Sequence, residues 1–229
     1  MTRTLYALAG ADRSRPFSPH VWKTVLALAH KGLAFDLAPV GFTGIPGLEG
    51  GASKTVPLLR DGDRLVADSF AIALYLEEAY PDTPTLFGGE GGKAMARFIE
   101  GWTQTVVQAS LIKVIVKDIH DCLDPVDQAY FRQSREARFG QSLEAVAAAG
   151  VSEREAFGAR LEPMRWMLKS QPFIGGRQPL FADYIVFGAF QWARIVSPVR
   201  FLADGDPVAE WFERCLDLYD GAGRSVTAA

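Results

Sequence analysis

Cysteine is scarce in this sequence. Only two cysteines, Cys122 and Cys215, occur among the 229 residues, and no CxxC pair is present. Two such distant cysteines make neither a disulfide framework nor a thiolate metal site, so we expect a reducing, cytoplasmic environment. No run of about 18 apolar residues occurs, which argues against a membrane span. The apolar run after Met1 is too short for a signal peptide.

A large excess of charge of one sign is also lacking. The chain has 24 Lys and Arg residues against 27 Asp and Glu residues, which leaves a net charge of −3. A nucleic-acid-binding protein usually carries a basic stripe, and none is visible, so nucleic acid is not an expected partner. The rest of the composition is ordinary for a globular protein, with 48% apolar and 22% charged residues. The length allows one large domain or two small ones.

The first part of the chain alternates between strand patterns and helix patterns. Ser18 before Pro19 is typical of a helix start, with Ser as the N-cap and Pro at the first helical position. Asp61-Gly62-Asp63 lies between two apolar runs and predicts a hairpin. A βαβ unit followed by a ββα unit is therefore expected, with four strands in one mixed sheet. The predicted strands cover 4–8, 35–40, 57–60 and 64–67, and the predicted helices cover 18–32 and 69–80.

A change of composition divides this α/β part from an all-α part. The segment 81–92 is rich in proline and glycine, as domain linkers are. We therefore predict an α/β domain at 1–82, a linker at 83–92 and an all-helical domain at 93–229. The predicted helices of the second domain cover 93–120, 124–150, 153–169, 182–196 and 206–219.

Four local motifs, in this order, resemble those of the soluble glutathione S-transferases. They are the segment 17–24 (FSPHVWKT), the dipeptide Val56-Pro57, the dipeptide Asp68-Ser69 and the segment 181–184 (FADY). The resemblance covers essentially the whole chain. Within the family, the segments 18–24, 41–45 (GFTGI) and 217–224 are most similar to the bacterial glutathione-dependent β-etherases and their fungal relatives. One position differs, because Leu180 stands where the family usually has a capping residue.

The resemblance implies a fold, a cosubstrate and an activity. The fold would be an N-terminal thioredoxin-like βαβ-ββα domain that binds glutathione, followed by a helical bundle that walls the electrophile site. The activity would be attack of a glutathione thiolate on an apolar, aromatic electrophile, with β-aryl ether cleavage as one form of it. The resemblance also implies a homodimer and requires no metal. Two other functions remain open: a glutathione-dependent isomerase or dehalogenase, and a non-catalytic module that binds ligands or proteins.

Ser18 is the candidate catalytic residue. A hydroxyl that donates to a sulfur favours the thiolate, and the start of a helix adds positive potential at the same place. The other interpretation is that Ser18 is only an N-cap. Ser14 is a competing hydroxyl in the same loop, but it lies between Arg13 and Arg15 and fits a solvated turn. The loop contains no cysteine, which argues against the family branch that works through a protein thiol.

The resemblance also assigns the glutathione contacts. Asp68 and Ser69, at the start of a helix, would bind the γ-glutamyl group, although the same pair also fits an ordinary helix cap. Val56, before a cis Pro57, would pair with the cysteinyl backbone. Lys54 and Thr55 are the nearest candidates for the glycyl carboxylate, and a solvated loop lysine is the competing interpretation.

Aromatic residues are the candidates for the wall around the electrophile. The candidate wall residues are Phe17, Trp22, Phe42, Trp102, Val106 and Trp192. Aromatic residues at helical spacing often pack in the core instead, and that interpretation remains open for the tryptophans. Residues 118–122 (DIHDC) have side chains of metal-ligand type, but on a helix they do not converge on one point.

Overall fold

The computed structural model describes residues 3–229. Its N-terminal part is a mixed four-stranded sheet in the order β2-β1-β3-β4, with β1 parallel to β2 and the other neighbours antiparallel. A 3₁₀ segment at Phe42–Gly50 joins the βαβ unit to the ββα unit. The predicted thioredoxin-like fold is therefore confirmed. The elements are β1 Arg3–Leu8, α1 Pro19–His30, β2 Asp36–Val40, β3 Leu58–Asp61, β4 Arg64–Ala67 and α2 Ser69–Ala79.

The C-terminal part is wholly helical in its regular structure. Its first helix is a continuous rod in which α3 and α4 are joined by a π-helical segment at Thr103–Gln108. The predicted fold class, an α/β unit followed by an all-α unit, is confirmed. The helices are α3 Glu90–Trp102, α4 Ala109–Asp121, α5 Pro125–Phe139, α6 Leu143–Arg160, α7 Glu162–Leu168, α8 Phe181–Val196 and α9 Pro207–Leu216.

Helix α3 begins at Glu90, earlier than the predicted start at residue 93. Gly92 lies in its first turn, where a β-carbon would stand only 1.7 Å from the Phe87 carbonyl oxygen. Glycine is poor at promoting helices by itself, but here it lets the chain pass close to Phe87. A local contact between residues five apart in the chain therefore accompanies this earlier start. The domain limits at 82 and 93 stay predictions.

The prediction of a single helix over 124–150 is wrong, because the helix ends at Gly140 and a second helix begins after it. Gly140 has φ 67°, a left-handed conformation that ends α5 after Phe139. Ser142 then caps α6, and its hydroxyl accepts a hydrogen bond from the Ala145 N–H at 3.2 Å. The predicted helix over 153–169 is divided as well, between α6 and α7, at Leu161.

The last predicted helix, 206–219, is also too long. Helix α9 ends at Leu216, and Tyr219 and Asp220 have left-handed φ angles of 53° and 58°. This bend brings the Tyr219 hydroxyl to 2.9 Å from His30 Nδ1 at the end of α1. Tyr184 of α8 completes the hydrogen-bonded group, with its hydroxyl 2.5 Å from His30 Nδ1. Every helix in the described part of the chain is too short or too polar to span a bilayer.

Helix α8 is the central element that joins the two parts. Almost every residue of it is buried, and α1 packs between α8 and α2. Gly188 makes this contact possible, because a β-carbon there would stand 2.2 Å from the Pro19 carbonyl oxygen. Close packing at Gly188 therefore positions the first turn of α1 against the helical part.

Asp183, in the first turn of α8, organises the loop before that helix. Its fully buried carboxylate accepts hydrogen bonds from the backbone N–H groups of Ile174, Gly175 and Leu180, at 2.7, 2.9 and 3.0 Å. A further donor is the Trp211 indole N–H, at 2.9 Å. The Leu180 side chain cannot return a bond, so only half of a reciprocal capping box is present. The Asp183 N–H donates instead to the Leu180 carbonyl oxygen, at 2.9 Å.

Candidate active site

A cavity of about 590 Å³ opens between the start of α1 and the helical part of the molecule. The loop after β2 and the loop before β3 close it on the N-terminal side, and the rod α3–α4 and helix α5 close it on the other. Its wall is formed by Leu8, Phe17, Ser18, Pro19, His20, Phe42, Ile45, Pro46, Lys54, Thr55, Val56, Gln104, Gln108, Ala109, Ile112, Ile119, Tyr130, Phe131, Arg135, Arg138, Phe139 and Trp192.

Ser18 lies on this wall at the N-terminus of α1. The Phe17 N–H donates to the Leu8 carbonyl at 2.9 Å, which holds the entering chain on the sheet. The Ser18 hydroxyl caps α1 by accepting a long hydrogen bond, 3.4 Å, from the Val21 N–H. No acceptor for the Ser18 O–H itself is found within residues 3–229. This hydroxyl can therefore donate a hydrogen bond into the cavity.

Ser14, the competing hydroxyl, is placed elsewhere. It is exposed, and its side chain donates to Asp12 Oδ1 at 2.6 Å in a local turn. It does not belong to the cavity wall. The geometry thus favours Ser18 over Ser14.

Asp68 and Ser69 lie at the start of α2 and differ in their hydrogen bonds. Asp68 is the N-cap of α2, and its Oδ1 accepts from the Phe70 and Ala71 N–H groups at 3.0 and 2.9 Å. It has a left-handed φ of 74°. The Ser69 hydroxyl is buried and has no hydrogen-bond partner in the described part of the chain. A buried hydroxyl without a partner is uncommon. Neither Asp68 nor Ser69 is among the residues that line the cavity.

The loop before β3 supplies one side of the cavity. The Val56-Pro57 peptide is cis, and Val56, Thr55 and Lys54 line the cavity, whereas Pro57 does not. Thr55 is held in place by Ser53, whose Oγ accepts from the Thr55 N–H at 3.1 Å and donates to the Thr55 carbonyl at 2.7 Å. Lys54 is exposed at the opening.

Phe42 is the centre of an aromatic cluster on the cavity wall. Its ring centroid is 5.5 Å from that of Phe131, 6.0 Å from that of Tyr130 and 6.5 Å from that of Phe17. Trp192 of α8 lines the cavity as well. Three of the predicted wall residues, Phe17, Phe42 and Trp192, are therefore brought together.

Trp22, Trp102 and Val106 require a correction, because none of them lines the cavity. Trp22 is only 1% exposed and packs edge-on against Phe187, at 6.2 Å between ring centroids. The rod turns a different face toward the cavity, formed by residues spaced four apart. Gln104, Gln108 and Ile112 stand there instead.

Asp127 of α5 is a positioning residue that the sequence analysis missed. Its buried carboxylate accepts hydrogen bonds from the Phe42 and Thr43 N–H groups, at 2.7 and 2.8 Å, and from the Thr43 hydroxyl at 2.7 Å. Gly41 must be small, since a β-carbon there would stand 2.2 Å from Asp127 Oδ2. In the sequence, Asp127 is only an acidic residue in the first turn of a helix, which is an ordinary pattern.

Two more groups near Ser18 were not singled out in the sequence. Burial lowers the pKa of His20 to about 4, with the Lys23 charge acting in the same direction, so this imidazole is neutral at pH 7. Lys23 itself is fully buried and pairs with Glu100 of α3 at 3.0 Å. Burial lowers the pKa of both His20 and Lys23, and the nearby Asp68 charge opposes part of that lowering in each. The start of α2 therefore lies near the start of α1.

Across residues 3–229, no three His, Cys, Asp or Glu side chains come together in a way that would hold a metal ion. Cys122 is partly buried, and burial raises the pKa of its thiol to about 11. Cys215 of α9 is buried as well, and burial raises the pKa of its thiol too. Neither thiol is on the cavity wall.

Two family models match the chain. The model of the glutathione S-transferase N-terminal domain matches residues 17–79, and that of the C-terminal domain matches residues 94–219. The chain belongs to the glutathione S-transferase family. Members of this family are in general transferases, and the family membership supports glutathione binding.

Similar proteins from fungi agree with this assignment. The glutathione S-transferase-like protein ustS of Aspergillus flavus is 25% identical over 208 residues, which cover 79% of this chain and 75% of that protein. The crystal structure of glutathione transferase GSTFuA3 from Phanerochaete chrysosporium has a TM-score of 0.76 and 26% identity, and the match covers 97% of this chain and 93% of that one.

A third comparison supports the fold alone. The glutathione S-transferase CsGST63524 of Ceriporiopsis subvermispora, solved in complex with glutathione, has a TM-score of 0.81 at 23% identity. The match covers 96% of the present chain and 97% of the Ceriporiopsis chain. The glutathione S-transferase fold thus extends over essentially the whole molecule.

Proposed function

We propose that this protein is a glutathione S-transferase in which the Ser18 hydroxyl stabilises the glutathione thiolate. The thiolate attacks a carbon of an aromatic electrophile held in the same cavity. The observation that carries the proposal is the Ser18 hydroxyl, which lies on the cavity wall at a helix N-terminus with its O–H available to donate. The β-etherase-like activity is the specific form of this reaction that we propose.

The chemistry requires a lowered thiol pKa. A free thiol has a pKa of about 8.5, so little thiolate is present at pH 7. A charge-assisted hydrogen bond from Ser18 and the positive end of α1 both favour the anion. The apolar surface of Phe17 and Phe42 would hold the electrophile next to the sulfur.

The proposed placement of glutathione uses groups at the start of α2 and in the loop before β3. The γ-glutamyl carboxylate would bind at the start of α2, where the buried Ser69 hydroxyl is without a partner in the described chain, and Asp68 would balance the ammonium group. The cysteinyl backbone would pair with Val56, and the glycyl carboxylate would lie near Lys54 and Thr55. In this proposal residues 1–82 bind glutathione and residues 93–229 wall the electrophile site. The homodimer and the cytoplasmic location stay predictions.

Ser69→Ala tests the γ-glutamyl position. The substitution removes a hydroxyl that makes no hydrogen bond within residues 3–229, so the thermal midpoint of the free protein should hardly change. Loss of a charge-assisted hydrogen bond to the carboxylate should weaken glutathione binding by about 1.5–3 kcal/mol. Titration calorimetry measures this change.

Asp68→Asn is the matched variant for the ammonium group. Asparagine keeps an oxygen for the α2 cap and tolerates the left-handed backbone, so it removes only the charge. We expect weaker glutathione binding with an unchanged fold. Unchanged affinity in both the Asp68→Asn and the Ser69→Ala proteins would show that the γ-glutamyl group binds elsewhere.

A β-aryl ether model compound tests the etherase form of the reaction. Attack of the thiolate on the β-carbon forms a C–S bond, breaks the C–O bond and releases the aryloxide, which takes up a proton. We expect a glutathione thioether and a phenol in equal amounts, detected by mass spectrometry. If a simple aryl halide is conjugated and the ether stays intact, the protein is a transferase of another specificity.

A further inference from the structure

The cavity is lined by cationic side chains without a balancing carboxylate. Lys54, Arg135 and Arg138 line it, and no Asp or Glu is found among its wall residues in the described part of the chain. His20 is neutral at pH 7, so it does not add to this charge. The cavity therefore suits an anionic ligand.

Arg135 is the central group of this charged wall. It is half-buried, and its guanidinium lies 4.7 Å from the ring centroid of Phe131 and 5.5 Å from that of Phe42. The one hydrogen bond it makes within residues 3–229 is from Nη1 to the Ser134 hydroxyl, at 3.1 Å. Arg138 stands one turn further along α5 and is exposed. Neither guanidinium forms an ion pair with a described residue.

Arg132 of the same helix, unlike Arg135 and Arg138, has acidic partners. Arg132, which is outside the cavity, pairs with Glu136 and with Glu144, each at 2.8 Å. Burying part of a guanidinium without an anion is costly unless a ligand supplies the partner. The stacking of Arg135 on Phe131 offsets only a part of that cost. An anion that enters the cavity would complete the arrangement.

We infer that Arg135 and Arg138 bind an anionic group on the electrophile, which makes aromatic carboxylates the preferred substrate class. This inference rests on the proposed function. The guanidinium fork of Arg135 matches a carboxylate in geometry, and the rings of Phe42 and Phe131 beside it match an aromatic body. An aromatic acid can pair with the guanidinium through its carboxylate and contact the two rings through its aromatic body.

Glutathione does not account for these two arginines. It has two carboxylates, and the proposed placement uses the start of α2 for one and Lys54 for the other. The arginines lie instead on α5, beside the aromatic cluster around Phe42. A carboxylate on the electrophile and the glycyl carboxylate of glutathione share the same chemistry, so the experiment must separate them.

A pair of substrates isolates the charge. In 4-chloro-3,5-dinitrobenzoate, the thiolate forms a C–S bond at the ring carbon, the C–Cl bond breaks, and chloride leaves with the electron pair. The corresponding benzamide reacts in the same way and has nearly the same shape without the charge. We expect kcat/KM, corrected for the uncatalysed rates, to be about tenfold higher for the carboxylate, which corresponds to ~1.4 kcal/mol. Added salt should reduce this preference.

Three variants test the roles of Arg135 and Arg138 in this preference. Arg135→Met should abolish the preference for the carboxylate and leave kcat/KM for the amide within about twofold. Arg138→Met should reduce the preference by a smaller factor, because Arg138 is more exposed and its charge is better screened. Arg132→Met, on the same helix but outside the cavity, is the matched control and should keep the full preference. The dissociation constant of glutathione should be unchanged in all three.

Several outcomes would overturn the inference. These are a wild-type protein without the preference, an equal loss for both substrates in Arg135→Met, or a weaker affinity for glutathione in that variant. Binding of the unreactive 3,5-dinitrobenzoate and its amide, measured by calorimetry, is independent of turnover. If no electrophile is conjugated, the proposed function fails, but a preference for the dinitrobenzoate that Arg135→Met removes would still establish the anion site. Equal binding of the two compounds would refute it.

Discussion

Replacing Ser18 by alanine is expected to raise the pKa of the glutathione thiol in the complex by about 1.5 units. Such a shift corresponds to ~2 kcal/mol, which is what one charge-assisted hydrogen bond contributes. If the wild-type complex holds this pKa near ~6.5, two units below a free thiol, the variant complex would have a pKa near ~8. Ultraviolet absorbance of the thiolate, followed through a pH titration of each complex, measures both values.

The rate of conjugation should follow the same pH dependence. At pH 6 the thiolate fraction, and with it kcat, should fall about 20-fold in the Ser18→Ala protein. Above pH 9 both complexes are mostly thiolate, so the two rates should converge. A loss of rate that is equal at pH 6 and pH 9 would contradict the proposed role.

The helix-capping role of Ser18 needs a separate control. Ala at an N-cap costs ~1 kcal/mol of stability, whereas Gly costs only a few tenths. Ser18→Gly should therefore leave the thermal midpoint nearly unchanged and still raise the thiol pKa as much as Ser18→Ala. Ser14→Ala should change neither quantity, because Ser14 is bound to Asp12 away from the cavity. If Ser14→Ala were inactive and Ser18→Gly active, the catalytic hydroxyl would be Ser14.

The Asp183→Ala substitution is expected to have the largest effect on stability. It removes the acceptor of four buried or partly buried N–H groups, those of Ile174, Gly175, Leu180 and the Trp211 indole. Each donor left without an acceptor costs about 1–3 kcal/mol, and entry of water offsets part of the sum. We expect a loss of about 3–5 kcal/mol in the free energy of unfolding and a decrease of ~10 °C in the thermal midpoint.

Asp204→Ala is the control for this prediction. Asp204 is exposed and pairs with Arg200 on the surface, where an ion pair contributes at most about 1 kcal/mol. The thermal midpoint of the Asp204→Ala protein should remain within ~2 °C of that of the wild-type protein. A similarly small decrease for Asp183→Ala would mean that the donors find other acceptors, and that Asp183 does not organise the loop before α8.

Local chemistry made the N-terminal elements predictable. The Ser18-Pro19 start of α1 and the Asp61-Gly62-Asp63 hairpin are decided by backbone preferences of adjacent residues. The same kind of signal was present at Gly140 and Ser142, but the helical pattern on both sides of them suggested a single long helix. Short-range preferences were therefore sufficient for the start of α1 and for the hairpin, but not for the division between α5 and α6.

The residues of the α3–α4 rod that line the cavity could not be predicted from the sequence. Trp102 and Val106 are one helical turn apart, and so are Gln104 and Gln108, but only the second pair lines the cavity. Spacing shows which residues share a face of the rod. It does not show which face is turned to the cavity, because that depends on how the rod packs.

By itself, the sequence determined the two-part architecture and the likeness to the glutathione S-transferases, and with them the positions of Ser18, Asp68 and Ser69 at helix starts. These depend on caps, turns and motifs, whose chemistry acts within a few residues. Only the tertiary structure decided that Asp127 holds the loop of Phe42 and that Arg135 faces the cavity without an acidic partner in the described chain. The physical reason is that both features depend on the distances in space between residues that are far apart in the sequence. Those distances are fixed only when the two parts of the molecule pack together.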